Sequence, residues 1–418
     1  MSVTIQADQR IATLDILRGV AVMGILAMNA AVFAMPAAAY FNPAAYGGAD
    51  GIDLAIWVGN HIFVDGKMRG LFSLLFGASL LLVVMRAEAN GENETSVHYR
   101  RMLWLLIFGA IHLYLIWYAD ILLHYALIGL IAFLFRNAGL RTLSIWIAVL
   151  LTVNLVIMAG LSFGFLQTSA AAAAPGASAE VTAAWASMSA DFAPLSADAL
   201  AADLATHRGD YAGIVEDRIA DYAWMPVFMF FFGGVETLAL MLIGMAGLRS
   251  GFLTGAWVAE RYRTIALWCI LIGAAASAAL AWLAIDANFE PAMVFATAFG
   301  GTALFRPLMA VGYAALIILL TRRGGTLVAR IAAAGRAAFT NYLGTSLVMT
   351  TIFYGYGLGL YGSVGRAELY LFVLAMWALM LAWSKPWLDL YRYGPFEWMW
   401  RSLARWRLQP MRRAKAAA

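Results

Sequence analysis

AWMPVFMFFFGGVETLALMLIGMAGL, residues Ala223–Leu248, carries one ionisable side chain, Glu236, in an otherwise almost wholly apolar run. A helix of roughly 20 apolar residues is what crossing a bilayer requires, so this stretch reads as a membrane span. Five similar segments precede it: Thr13–Met35, Ile52–Val84, Met102–Trp117, Ile121–Phe135 and Leu143–Leu166. Four follow: Thr264–Ile285, Ala292–Leu320, Ala337–Leu358 and Ala367–Lys385. The expected fold class is therefore all-α, a polytopic transmembrane helical bundle of about 10 spans. Composition agrees, with 63% hydrophobic and 12% charged residues. A water-soluble surface needs about twice that share of charge. The second segment is too long for one upright span and contains Asp65-Gly66-Lys67, which predicts a break there. The third and fourth meet at Tyr118-Ala119-Asp120 and read as a tight hairpin. The first segment reads as a span rather than a removable leader.

Basic residues set the expected orientation, because arginine and lysine favour cytoplasmic connections. With Arg10 inside, alternate connections hold Arg86, Arg100 and Arg101; Arg136 and Arg141; Arg249, Arg261 and Arg263; and Arg322, Arg323, Arg330 and Arg336. The tail adds Arg392, Arg401, Arg405, Arg407, Arg412, Arg413 and Lys415, whereas the opposite connections hold only Arg208, Arg218 and Arg366. Both termini are thus expected in the cytoplasm, and the net charge of +4 reflects topology, not a nucleic-acid partner. The chain divides into a membrane domain over 1–166, an extracytoplasmic helical cap over 167–221, and a second membrane domain with an interfacial tail over 222–418. The cap opens on Ala170–Ala174 and turns acidic through Asp191, Asp198, Asp203, Asp210, Glu216, Asp217 and Asp221. It reads either as a solvated cover or as a lid over a substrate entrance. Gly251–Arg263 reads as a short interfacial helix.

Ionisable groups inside spans must be paired or face a cavity. Glu236 and Arg306 lie at matching depths, roughly 20 Å from the outer surface at 1.5 Å per residue, and are expected to pair. Packing and substrate binding are both open roles for that pair. His61, His112 and His124 fall ~13, ~9 and ~6 Å deep, with Asp120 at i,i+4 from His124. A histidine beside a carboxylate is the usual composition of a general base and its orienting partner, although an intramembrane histidine also serves simply to bond a carbonyl. No two histidines have a metal-ligand spacing, and Cys269 is alone, so no metal is expected. Arg18, Lys67 and Arg69 form a basic set suited to phosphate, beside the duller alternative of anionic lipid and topology. Asn341, within Thr340-Asn341-Tyr342, would line a cavity or bond a neighbouring helix. GxxxxGK[ST], HExxH and GxSxG are absent from the sequence.

Longer patterns resemble a known family. Arg10-Ile-Ala-Thr-Leu-Asp15-Ile-Leu-Arg18-Gly19, running on to Gly24-Ile25 and Asn29, is similar to the opening of the YeiB-like bacterial membrane proteins. So are Gly66-Lys67 with Leu71–Gly77, Gly109-Ala-Ile-His112 with Asp120-Ile121-Leu122, and, in the C-terminal half, Gly335-Arg336, Thr340-Asn341-Tyr342, Gly355–Leu360 and Tyr393–Arg401. That half looks like the family's domain of unknown function. The N-terminal half resembles the transmembrane acyltransferase superfamily, which includes heparan glucosaminide N-acetyltransferase-like enzymes, through Asp15-x-x-Arg18-Gly19. The resemblance implies transfer of an acyl group from cytosolic acyl-coenzyme A, a co-substrate and not a bound cofactor, to a glycan- or lipid-like acceptor. His112 first and His61 second would be the base, Asp120 would orient it, and Arg18, Lys67 and Arg69 would hold the donor phosphates. Those enzymes place a histidine in the loop that here is Pro36–Gly51, which has none. The competing expectation is a transporter or exporter of a small or amphipathic solute gated by Glu236–Arg306. Either reading implies a bacterial cytoplasmic (inner) membrane location and membrane lipids as partners, and leaves a homo-oligomer open.

Overall fold

The structure, a computed structural model, describes residues 11–413, so Arg10 and Lys415 among the topology-marking charges lie outside the described residues. In chain order the helices are α1 (Ala12–Ala34), α2 (Gly51–Phe63), α3 (Lys67–Ala89), α4 (Glu94–Ile111), α5 (Leu122–Ala132) and α6 (Leu140–Ala172). Then come α7 (Ala179–Ser189), α8 (Ala197–His207), α9 (Tyr211–Tyr222), α10 (Met225–Arg249) and α11 (Ala259–Asp286). The last are α12 (Pro291–Phe295), α13 (Phe305–Thr321), α14 (Thr326–Arg336), α15 (Ala338–Phe353), α16 (Arg366–Leu390) and α17 (Pro395–Ala404). The only β pairing among the described residues is an isolated bridge, Tyr391 to Arg412.

All ten expected segments are helical, but they are not ten full spans. Among the described residues seven helical stretches, with α2 and α3 taken together, are long and apolar enough to cross a membrane, and an eighth forms if α12 and α13, bent by 53° at their junction, count as one. The remaining two segments fall short: Leu122–Phe135, which contains α5, and α15 with its 16 residues. The second segment breaks where expected, since Gly66 at the start of α3 has φ of +68°. Glycine is required there twice over, because a Cβ would stand 2.2 Å from Cδ of Arg306. Two breaks were not anticipated. The end of α4 widens into a π turn, His112–Ile116, and another π turn over Ala296–Gly300 separates α12 from α13. Gly251–Val258 is a run of turns and bends, not an interfacial helix, and Arg261 and Arg263 belong to the start of α11. Val258 in an extended conformation ends the turns and lets α11 begin at Ala259.

α1 is the most buried span and α6 the most exposed. Large apolar side chains of α6 and α11, such as Ile145, Val156, Phe163, Leu267, Trp268 and Trp282, point outward, the surface expected against lipid tails. Inside, α3 packs on α10, and α1 packs on α3, α14, α15 and α16, so the two membrane halves share one core. The α3–α10 contact is backbone to backbone: a Cβ on Gly244 would meet the Leu74 carbonyl at 1.8 Å, and one on Gly77 would meet the Met241 carbonyl at 2.0 Å. Gly244→Ala is expected to cost about 3 kcal/mol, read as a lowered melting temperature in detergent. An unchanged melt would show that the two helices can part freely.

The tail closes the arginine-rich end. Glu397 of α17 accepts from the N–H groups of Phe339 and Thr340 (2.6 and 3.1 Å) and the Thr340 hydroxyl (2.5 Å), so a distant side chain caps α15. Glu397→Ala is expected to lose about 2 kcal/mol of stability, measured by the same melt. Thr340→Val should lose less, because the two backbone contacts remain.

Candidate functional site

The acidic connection is a three-helix cap, and each helix starts on a residue suited to that position. Ser178, Ser196 and Asp210 accept from the N–H groups of Val181, Ala199 and Gly213 at 3.3, 3.2 and 2.8 Å. Arg208 then donates to the Tyr361 carbonyl (2.7 Å) and Ser363 (3.1 Å), while Tyr211 donates to the Leu115 carbonyl (2.8 Å). Burial, with Asp203 beside it, raises the Tyr361 hydroxyl well above its ordinary range, so it stays a donor to Asp203 at 3.1 Å. The cap is thereby fastened to the Tyr354–Ser363 loop and to the π turn that follows His112.

Beneath it lies a buried histidine–aspartate pair. His112 Nδ1 is 2.7 Å from Asp120 Oδ1, with both side chains at most 1% exposed. The other Asp120 oxygen accepts from the Leu123 N–H at 2.8 Å, which anchors the carboxylate at the start of α5. Because α5 begins only at Leu122, Asp120 precedes it and turns to His112, not to His124 at i,i+4 as the spacing suggested. The second ring nitrogen, His112 Nε2, is buried and has no hydrogen-bond partner among the described residues. The imidazole stands 5.2 Å from the Tyr342 ring and 6.1 Å from the Trp117 ring. Those two residues, with Asn29, Thr345 and Ser346, border a small cavity of about 10 Å³, room for roughly one water.

A second polar centre lies on the other side of α5. Glu236 pairs with Arg306 at 3.0 Å, as its depth suggested, and with Arg69 at 2.5 Å. Arg306 also donates to the Ala298 carbonyl (3.1 Å), which the π turn before α13 presents. The Arg69 carbonyl accepts from Ser73 (2.9 Å) and Tyr125 (3.2 Å). His124 contacts Thr237, the neighbour of Glu236, at 2.9 Å. The buried Glu236 carboxylate offsets the desolvation of both guanidiniums, and the three side chains join α3, α10 and α13.

Several expected groupings do not form. Lys67 is fully buried and donates to the His61 carbonyl, Arg69 is on Glu236, and Arg18 donates to Asp15 (3.2 Å) and Ser79 (2.7 Å). Ser79 is roughly 18 Å along α3 from Lys67, so these three cations do not make one phosphate cradle. The three histidines are also apart: His61 stacks on Trp57 at 5.2 Å, His112 holds Asp120, and His124 holds Thr237. Asn341 is not part of the Glu236 centre. Its amide nitrogen bonds the Ala334 carbonyl (3.0 Å) and Ser384 (3.2 Å) and its oxygen accepts from Trp383 (2.9 Å), joining α14, α15 and α16. Tyr342 and Trp117 escaped the sequence reading, although Tyr342 sat inside a quoted motif. Among the described residues no group of three or more His, Cys, Asp or Glu side chains could hold a metal ion.

Outward-facing apolar helices around buried charged centres define an integral, polytopic α-helical membrane protein. Residues 247–407 match the family described as "Protein of unknown function (DUF418)". The chain is 33% identical to the "Uncharacterized protein YeiB" of Escherichia coli (strain K12), over 94% of this chain and 96% of the relative. It is 30% identical to the "Uncharacterized protein YxaH" of Bacillus subtilis (strain 168), over 97% and 96%. The chain belongs to the YeiB-like family. No solved structure matches it.

Proposed function

We propose that this protein is a membrane-embedded acyltransferase in which His112 is the general base and Asp120 its orienting carboxylate. The observation that carries the reading is the free Nε2 of a buried imidazole whose Nδ1 is already committed to a buried carboxylate. That arrangement fixes the tautomer with Nε2 unprotonated, ready to accept a proton from an acceptor hydroxyl. As the hydroxyl oxygen bonds the thioester carbonyl carbon, His112 takes its proton. The C–S bond then breaks, and the thiolate leaves with that proton as a free thiol. Asp120 stabilises the transient imidazolium. The acceptor, of glycan or lipid-headgroup type, enters from the cap side, and acyl-coenzyme A serves as co-substrate from the opposite side. This reading puts both termini in the cytoplasm of a bacterial inner membrane, supported by the preference of arginine for cytoplasmic connections. The donor's phosphates are not assigned to Arg18, Lys67 and Arg69.

The test is thiol release from acyl-coenzyme A by purified protein supplied with membrane lipid extract. Release that vanishes in His112→Gln, while the variant melts like the wild type, supports the assignment. Undiminished release in His112→Gln overturns it.

One observation favours transport instead. The interrupted helices α2/α3 and α12/α13 meet where Arg306 passes Gly66 and reaches Glu236. Broken helices around buried charge are the usual architecture of a solute site. Solute uptake into proteoliposomes without acyl donor, abolished by Arg69→Gln, would select this reading.

A further inference from the structure

The arginine-rich face has a cavity of its own, with a volume of about 580 Å³, between the start of α4 and the chain that follows α17. Three guanidiniums line it, those of Arg100, Arg405 and Arg407, against the single carboxylate of Glu92. Glu92 lies 3.4 Å from Arg405, and among the described residues neither Arg100 nor Arg407 has a carboxylate within 4.0 Å. Asn93 does not compete for a ligand, because its side chain accepts from the Ser96 N–H at 2.8 Å. The volume falls within the ordinary range of small-molecule sites.

The wall that carries two of these arginines is built, not draped. Trp406 adopts a φ of +52°, uncommon for any residue but glycine. The turn around it is fastened to Ser402: the Ser402 carbonyl accepts from the Arg407 N–H, and its hydroxyl from the Gln409 N–H, both at 3.1 Å. The Trp398 indole donates to the Gln409 carbonyl at 2.7 Å, and the Arg392 N–H donates to the Met411 carbonyl at 2.9 Å. Arg405 and Arg407 alternate with Trp406 and Leu408, whose side chains are 64% and 76% exposed. Exposed tryptophan and leucine beside arginine, at the end of a membrane helix bundle, suit the boundary between headgroups and acyl chains.

We propose that this cavity binds a phosphate ester, with Arg100 and Arg407 on the phosphate oxygens and Arg405 shared between ligand and Glu92. Guanidinium is the group best matched to phosphate oxygens, and two of the three here have no competing carboxylate among the described residues. The apolar lip formed by Trp406 and Leu408 makes the headgroup of an anionic phospholipid the favoured source. A soluble phosphorylated solute offers the same chemistry. The site is independent of the role given to His112, and either can fail alone.

The experiment is native mass spectrometry of the full chain released from nanodiscs of equal phosphatidylglycerol and phosphatidylcholine, with and without inorganic pyrophosphate. Retention of phosphatidylglycerol over phosphatidylcholine, reduced on the order of tenfold in Arg100→Gln/Arg407→Gln, supports the site and assigns it to lipid. Binding of pyrophosphate with the same arginine dependence, and no preference between the lipids, supports the site and assigns it to a soluble phosphate. Binding of both probes equally by wild type and double variant overturns it. Should the double variant fail to fold, Arg407→Gln alone, a change on the exposed turn, is read by the same outcomes.

Discussion

Replacing Glu236 by Gln is expected to destabilise the protein by about 3–5 kcal/mol, the usual effect of removing one partner from a buried ion pair. The side chain keeps its shape, so packing does not change, but Arg69 and Arg306 then face each other with no anion between them. Glu236 is 3% exposed, and its two oxygens are divided between the two guanidiniums at 2.5 and 3.0 Å. Water cannot replace the lost charge at that depth. The second half of the expectation concerns rescue. Adding Arg306→Met to Glu236→Gln should recover part of the lost stability, since one cation then no longer needs compensation. Thermal or SDS-induced unfolding of purified protein measures both effects. A Glu236→Gln variant that melts with the wild type would show that the three side chains do not hold α3, α10 and α13 together.

His112→Gln is expected to lower acyl transfer by 10²- to 10⁴-fold, the range typical of a removed general base. Gln retains a polar head that can still face Asp120, so the loss should not come from unfolding, and the melting temperature is expected to stay within a few degrees. Asp120→Asn should be milder. An asparagine oxygen still accepts from the Leu123 N–H, whereas the charge that stabilises an imidazolium is gone. The pair therefore makes an ordered prediction: His112→Gln below Asp120→Asn, and both below wild type. Equal losses accompanied by equal drops in melting temperature would assign the pair to structure alone.

Span positions were legible because apolar length is written directly in composition, and every expected segment is helical. What composition does not show is where a helix stops within an apolar run. The π turns at His112–Ile116 and Ala296–Gly300 each present a carbonyl to a distant residue, Leu115 to Tyr211 of the cap and Ala298 to Arg306. α14 was read as a basic connection because Arg330 and Arg336 dominate it; it is a helix whose Gly335 lets the Asp15 carbonyl of α1 come close. Depth along the spans was enough to match Glu236 with Arg306. It was not enough for Arg69, which sequence adjacency grouped with Lys67 although Arg69 pairs with Glu236 of α10 and Lys67 donates to the His61 carbonyl. The i,i+4 spacing of Asp120 and His124 brings no contact between them, because that rule presumes a helix that starts before Asp120, and α5 starts after it.

The position of α1 bears on how the protein is made. Gly335 of α14 lies against the Asp15 carbonyl, and Arg18 carries a charge into the same region. α1 is made before α14, α15 and α16, which pack on it from about 320 residues further along the chain, a gap that at ~5–20 residues per second is roughly 15–60 s. For that interval the first span sits in the membrane with its future neighbours unmade. Its Asp15–Arg18 contact and its Ser79 partner on α3 are available early and shield its charges while it waits. A ribosome stalled before α14 would leave a bundle whose central helix is open on one side, a substrate for membrane quality control.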